Sequence, residues 1–266
     1  MNVVFRRLLE LVFPSNIYCM ACGAIIDRSR PYSLCDSCLS ALHWVNDRSC
    51  ERCGKALGAD YDGELCPDCE DMEHYFDKGV ICLEYGMHER EMILSYKYGG
   101  RAYMGEKFAD MMYDKLAYEG LAYRGRGNGA VSARKRTEAF DLVVPVPVHK
   151  SKLKKRGYNQ AQLMAAVLAE SLGLLCASEV LVKVKHVDSM SHLNAAERRE
   201  NIKNSFTMAA AQGKIVKDRR ILLVDDVYTT GSTVDECSRV LLEAGARSVS
   251  VICLAAGTAY RAREEG

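Results

Sequence analysis

Asp225 and Asp226 stand side by side after the apolar run Ile221–Val224. Four hydroxyl residues and one glycine follow before a helical pattern begins: Thr229, Thr230, Gly231, Ser232 and Thr233. Adjacent carboxylates are acceptors suited to a pair of vicinal hydroxyls or to a divalent cation. The hydroxyls are donors, Gly231 permits close backbone approach, and a helix start offers unpaired N–H groups with a partial positive charge. Together these make an anion cradle. Carboxylates for a sugar diol beside a cradle for a phosphate describe one ligand class, a phosphorylated ribose. Capping of the next helix would employ one acceptor, leaving the second acid and the hydroxyls without a role. The sequence has no G-x4-G-K-[ST] motif and no G-x-G-x-x-G after a strand, so other phosphate-binding patterns fit less well.

A second chemistry lies in the first third of the chain. Eight of the 12 cysteines form four C-x2-C pairs: Cys19 and Cys22, Cys35 and Cys38, Cys50 and Cys53, Cys66 and Cys69. They make two copies of C-x2-C-x12-C-x2-C, each cysteine of the first recurring 31 positions later, and Gly23 recurs as Gly54. One tight turn aims two thiolates at one ion, and tetrahedral Zn²⁺ takes two such turns. All-cysteine ligation leaves no open position, so about two structural zinc ions per chain are expected. The ligands group either sequentially or in an interleaved cross-brace. Cys82, Cys176, Cys237 and Cys253 sit in apolar contexts and read as core residues.

The surrounding elements must position these groups. The acidic stretch "EDMEHYFD" divides a cysteine-rich unit, 1–75, from a larger one, 76–266. "KGVICLEY", "DLVVPVPV", the run ending at the two acids and "SVSVICLA" read as strands. "HEREMILSYKYGG", "MGEKFADMMYDKLAYEGL" and "AQLMAAVLAESLG" read as helices, as does a segment from about Val234 to Ala244 that packs through Val234, Cys237, Leu241 and Ala244. "EVLVKVK" and "NSFTM" read as strands around an insertion with its own short helix, and the glycine- and arginine-rich 124–136 reads as a mobile loop. Alternating strands and helices predict an α/β fold with a parallel sheet and ligands at the strand carboxyl ends.

The stretch "ILLVDDVYTTGST" resembles the phosphoribosyl pyrophosphate (PRPP) motif of type I phosphoribosyltransferases. With "FPSNIYCMACG", "VVPVPVHKSKLKKRGYNQAQ" and "LNAAERRENIKNSF" in this order, nearly the whole chain resembles the ComF family. The resemblance implies a double zinc ribbon followed by a phosphoribosyltransferase-type α/β domain. It further implies that Asp225 and Asp226 hold the ribose 2′ and 3′ hydroxyls, that Thr229 to Thr233 hold the 5′-phosphate, and that "PVPVHK" lies where this fold binds pyrophosphate. Thr229 stands where several purine-type members carry an Asp that serves as a base, and a threonine cannot do that work near neutral pH. The acceptor of any transfer is therefore open.

Lys+Arg 36 against Asp+Glu 35 gives a net charge of +1, so any basic site must be local. Residues 150 to 156 hold five cations, Lys150, Lys152, Lys154, Lys155 and Arg156, with Tyr158 just beyond. They read either as a solvated loop or as contacts for pyrophosphate or nucleic-acid phosphate. Lys97, Arg101, Arg198 and Arg199 are further phosphate candidates, whereas His149, His186 and His192 have no ligand spacing. The opening "MNVVFRRLLELVFPSN" is too short and too charged for a signal peptide or membrane span, so a cytoplasmic protein without membrane insertion is expected. Two functions stay open. One is Mg²⁺-dependent phosphoribosyl transfer from PRPP. The other is a non-catalytic role in which a PRPP-like site persists while the protein handles single-stranded DNA during uptake, with a helicase as partner. Trp44, Tyr61, Arg48, Arg52 and Lys55 would then extend a DNA track over the ribbons.

Overall fold

The computed structural model describes residues 16–123, 137–185, 195–210 and 212–259. The opening helix pattern, the 124–136 loop, His186 and His192 fall outside them.

The two cysteine units fold alike because their sequences repeat. Gly23 and Gly54 both take positive φ, 75° and 77°, a conformation that glycine adopts without a Cβ penalty. Their amides bond back to the first cysteine carbonyls, Gly23 N to Cys19 O at 2.9 Å and Gly54 N to Cys50 O at 2.8 Å. The third cysteine of each unit immediately precedes a short helix, α1 (Asp36–Ser40) and α2 (Pro67–Glu70).

The larger unit is built on a five-stranded parallel sheet of β1 (Lys78–Glu84), β2 (Leu142–Pro145), β3 (Leu175–Cys176), β6 (Arg220–Tyr228) and β7 (Ser248–Ala256), in spatial order β1-β7-β6-β2-β3. Burial on both faces explains the near-continuous apolar runs. Ile221 and Leu223 pack on one face, with Val249, Val251 and Cys253; Leu222 and Val224 pack on the other, with Ile252 and Leu254. Helices α3 (Met87–Tyr98), α4 (Met104–Tyr118) and α6 (Gln160–Leu172) cover the second face, and α9 (Ser232–Glu243) covers the first through Val234, Cys237 and Leu241. The cysteine units divide between the faces. Cys50, Cys53, Cys66 and Cys69 join the core beneath α9, whereas Cys19 and Cys38 join the core beneath α3 and α4.

The segment linking the two units closes the free edge of β1, with Val45 N donating to Cys82 O at 3.0 Å and Glu84 N to His43 O at 2.8 Å. Covering an edge in this way removes a template for unwanted pairing. The "EDMEHYFD" segment enters β1 along β7, where Asp77 N bonds Val249 O and Val249 N bonds the Asp77 carboxylate.

Two readings change. The pair β4 (Leu181–Lys183) and β5 (Phe206–Met208) forms its own antiparallel hairpin outside the parallel sheet, with α7 (Ala195–Ile202) between them in sequence. The basic run is no loop: Lys150–Arg156 is helix α5, capped by the His149 side chain and ended by Gly157 at φ 82°. A cap donor-acceptor pair at one end and a left-handed glycine at the other outweigh like-charge repulsion in a short exposed helix. The short helix α8 (Gly213–Val216) leads into β6. Among the described residues no helix is long and apolar enough to cross a membrane.

Candidate functional site

The candidate site lies where the carboxyl ends of β2 and β6 run side by side in the sheet, the position at which open α/β sheets bind ligands. β6 continues through both acids to Tyr228, pairing Asp225 with Cys253 and Val227 with Ala255, so the strand is longer than the apolar run alone indicates. The side chain of Asp225 accepts from the amide of Asp226 at 2.8 Å. Burial pushes the Asp225 carboxyl up to about 7, and the neighbouring Asp226 carboxylate acts in the same direction; the Asp226 amide, Lys97 and Lys183 pull it back.

Lys97, near the end of α3, places Nζ 2.9 Å from Asp226 Oδ1, with both side chains largely buried. Burial works against its ammonium, but the Asp226 carboxylate outweighs that effect and holds Lys97 above the usual lysine range. Sequence reasoning missed a second lysine. Lys183, at the end of β4, lies over the Phe206 ring at 4.8 Å and close enough to Asp225 to stabilise its charge. Burial first, and Lys152 second, hold Lys183 below the ordinary lysine value. The available signal was its period-two position: Lys183 shares a strand face with buried Leu181.

The hydroxyl-rich turn leads from β6 into α9. Gly231 takes φ 76°, and a Cβ there would meet the Tyr228 hydroxyl at 2.2 Å, so this position requires glycine. Thr230 and Ser232 share a hydrogen bond of 2.7 Å, Ser232 is buried, Thr233 is half-buried and Thr229 is exposed. A hydroxyl-rich turn before the unpaired N–H groups of a helix start is an element that can hold an anion, and here it follows the two acids in the chain.

Arg156 stands near Lys97. It bonds the Gln160 side chain at 3.0 Å and the Tyr98 hydroxyl at 3.0 Å, and stacks on the Tyr98 ring. Asn159 caps α6 and donates to Val146 O, tying this connection to the end of β2. Arg101 instead donates to Met20 O in the first cysteine unit. Arg198 and Arg199 lie on α7, and their side chains are outside the described residues.

The eight cysteines form two sequential clusters, Cys19, Cys22, Cys35, Cys38 and Cys50, Cys53, Cys66, Cys69, with the sulfur atoms of each within 4.8 Å of one another. This excludes the interleaved arrangement. Zn–S bonds of about 2.3 Å place tetrahedral sulfurs about 3.8 Å apart, and the Sγ separations Cys22–Cys35, 3.8 Å, and Cys53–Cys66, 3.6 Å, match that cage. Amides of Cys53 and Cys66 point at Cys50 Sγ. The donor sets fit two structural zinc ions. Cys82, Cys237 and Cys253 are core residues, and Cys176 is half-buried.

Of the five ribbon residues expected to extend a DNA track, Lys55 is the one that is buried, and each of the five has a contact within the fold. Lys55 is buried against Asp68 at 2.8 Å, Arg52 donates to the carbonyls of Phe76 and Asp77, Tyr61 bonds Glu70, and Trp44 packs against Tyr32. Arg52 and Arg48, the latter bonded to Gly63 O, are the two of the five that stay exposed.

A parallel sheet with a diacid and a hydroxyl-rich turn at its carboxyl edge, joined to paired four-cysteine units, defines a phosphoribosyltransferase-type domain with a double zinc ribbon. The sequence families agree: double zinc ribbon domain matches residues 8–88 and phosphoribosyl transferase domain matches residues 153–266. Competence protein F of Haemophilus influenzae is 30% identical over 243 residues, covering 90% of this chain and 97% of its own length. The chain belongs to the ComF family. DNA utilization protein YhgH of Salmonella typhimurium is 27% identical, covering 84% of this chain and 90% of its own. Competence protein ComFC of Streptococcus pneumoniae is 24% identical, covering 89% and 98%.

Proposed function

We propose that this site binds PRPP with Mg²⁺ and supports transfer of its phosphoribosyl group. The observation that carries this reading is the adjacency of the Asp225–Asp226 pair to the Thr229–Thr233 anion turn, with Lys97 against the acids. The two carboxylates would accept from the ribose hydroxyls, and the turn would donate to the 5′-phosphate. Lys97, Lys183 and Arg156 supply positive charge for the pyrophosphate group, whose negative charge grows as its bond to the anomeric carbon breaks. Bound Mg²⁺ would add to that neutralisation. Thr229 offers no base, so an acceptor nucleophile must arrive already reactive or be deprotonated by another group. Thermal denaturation with and without Mg²⁺·PRPP tests the binding step: a ligand at 100 times its Kd stabilises by about 2.7 kcal/mol. Absence of any shift at millimolar ligand rejects it. Pyrophosphate release across candidate acceptors then distinguishes transfer from binding alone.

A second reading, single-stranded DNA handling, rests on α5 and its surroundings and draws on the names of the relatives, which speak of competence and DNA utilization. Lys150, Lys154 and Lys155 are exposed and Lys152 half-exposed, while Tyr98, which Arg156 stacks against, offers an open aromatic face. Tyr158 contributes less to stacking than its sequence position indicates, because it packs on Tyr96 and donates to the Tyr96 carbonyl. Each phosphate neutralised on a single strand adds about 0.7 to the slope of log K against log salt. Replacing Lys152, Lys154 and Lys155 by Ala should therefore flatten the slope for an oligothymidylate by about 2. An unchanged slope in the folded variant rejects α5 as the DNA contact.

A further inference from the structure

The hydroxyl-rich turn is held at both ends by the second cysteine unit. On its amino-terminal side stands Tyr228, buried at the end of β6. The Phe76 ring meets Tyr228 edge-on at 6.3 Å, and the Lys55 ammonium lies 5.4 Å from the Tyr228 ring centroid. Lys55 is itself anchored on Asp68, between the ligands Cys66 and Cys69. The Tyr228 hydroxyl in turn occupies the space beside Gly231. Displacing Lys55 or Phe76 therefore removes the support that keeps Tyr228 against the turn.

On the carboxyl-terminal side stands Asp235, in the first turn of α9, whose amide bonds Gly231 O at 2.9 Å. Its Oδ1 accepts from the Tyr75 amide at 2.7 Å and lies 3.3 Å from His74 Nδ1. The second is a close contact without hydrogen-bond geometry, since Nδ1 has no hydrogen-bond partner. The other ring nitrogen, Nε2, is 3.4 Å from Cys69 Sγ. The His74 side chain is fully buried and stacked on Phe76 at 4.6 Å, so it has no freedom to lose one partner without disturbing the other. A metal-ligand sulfur is thus joined to the first turn of α9 through one imidazole ring.

We propose that the second four-cysteine cluster sets the conformation of the 229–233 turn through Tyr228 on one side and the His74–Asp235 contact on the other, so that metal retention and ligand binding at the turn are coupled. The first cluster packs beneath α3 and α4 on the opposite face of the sheet, and its metal is outside this coupling. The part concerning ligand rests on the PRPP reading above; the mechanical link between cluster and turn does not. Coupling of this kind is reciprocal, so whatever tightens the turn tightens the hold on the metal. His74 and Asp235 are positioning residues, and groups that orient metal ligands typically alter metal affinity 10- to 100-fold when removed.

The test measures zinc release from the loaded full chain into a chromogenic chelator, in a Cys22→Ser background that leaves the second cluster as the one complete cage. Asp235→Asn and His74→Ala should release that zinc at least about tenfold faster than the parent. His74→Asn keeps a nitrogen near the Nδ1 position and should recover part of the difference, which simple loss of packing would not. Mg²⁺·PRPP should slow release in the parent and slow it less in Asp235→Asn, where only the Tyr228 side of the coupling remains. Equal release rates in the parent, His74→Ala, His74→Asn and Asp235→Asn overturn the proposal. So does a parent that Mg²⁺·PRPP stabilises against heat without slowing its zinc release. If Mg²⁺·PRPP has no effect on the parent by either measure while Asp235→Asn still releases faster, the cluster–turn link stands and the PRPP reading falls.

Discussion

Asp225→Asn should make the ligand-free protein more stable at pH 8 while weakening its capacity to bind Mg²⁺·PRPP. Burial, with the Asp226 carboxylate beside it, raises the Asp225 carboxyl to about 7. Between about pH 4 and pH 7 the folded protein then keeps a proton that the unfolded chain has released. Stability is fully present below that window and falls as pH rises through it. Asparagine has no such proton to lose, so the advantage of the variant over the parent grows from pH 5 and is greatest above pH 7. Each tenfold change in proton affinity corresponds to about 1.4 kcal/mol, a ceiling of about 4 kcal/mol over this range. Water reaching a half-buried site lowers the expected gain to about 1–2 kcal/mol. Melting temperatures of parent and variant at pH 5, 6, 7 and 8 provide the check; a difference that is the same at all four rejects the raised Asp225 carboxyl. With Asp226→Asn added, Lys97 loses the charge 2.9 Å away and the diol loses both carboxylates, so the thermal shift with Mg²⁺·PRPP should vanish. A double variant that is folded and still shifted would move the ribose elsewhere.

Loss of a ligand from the second cysteine cluster should be far more damaging than loss of one from the first. Cys53→Ser removes a thiol that is 0% exposed, in a core shared with β6, β7 and α9. Gly54 and Gly79 approach so closely that a Cβ on Gly79 would lie 2.4 Å from Cys53 O, leaving this contact no slack. Cys22 is exposed, in a unit that contributes Cys19, Met20 and Cys38 to the other core. Structural zinc contributes about 10–16 kcal/mol in finger peptides, comparable to the whole stability of an ordinary domain. Cys53→Ser should accordingly lower the melting temperature by about 10 °C or more, or leave the chain insoluble, and Cys22→Ser by a few degrees. Equal losses, measured together with metal content, would show that the second cluster is not integrated with the sheet as its contacts indicate.

Chemistry carried by neighbours in sequence could be read without a structure. The four C-x2-C turns, the glycines that follow two of them, the acid pair after an apolar strand and the hydroxyl-rich turn each lie within one short segment. Local geometry then dictates what they can do, and the parallel α/β class follows from the alternation of apolar runs. Tertiary structure alone decided what stands opposite them. Lys97 reaches Asp226 across 129 positions, and Tyr75 reaches Asp235 across 160. Both pairings depend on β1 lying at the sheet edge beside β7 while β6 lies beside β2, an order that the separate apolar runs do not encode. Lys183 was read as an ordinary strand residue because a hairpin outside the main sheet brings it to the acids. The sequential clusters and the division of two cysteine units of the same spacing between opposite faces of one sheet were likewise settled only by packing. Repetition makes the units alike locally, whereas the surfaces available beneath α9 and beneath α3 and α4 determine which unit holds the turn.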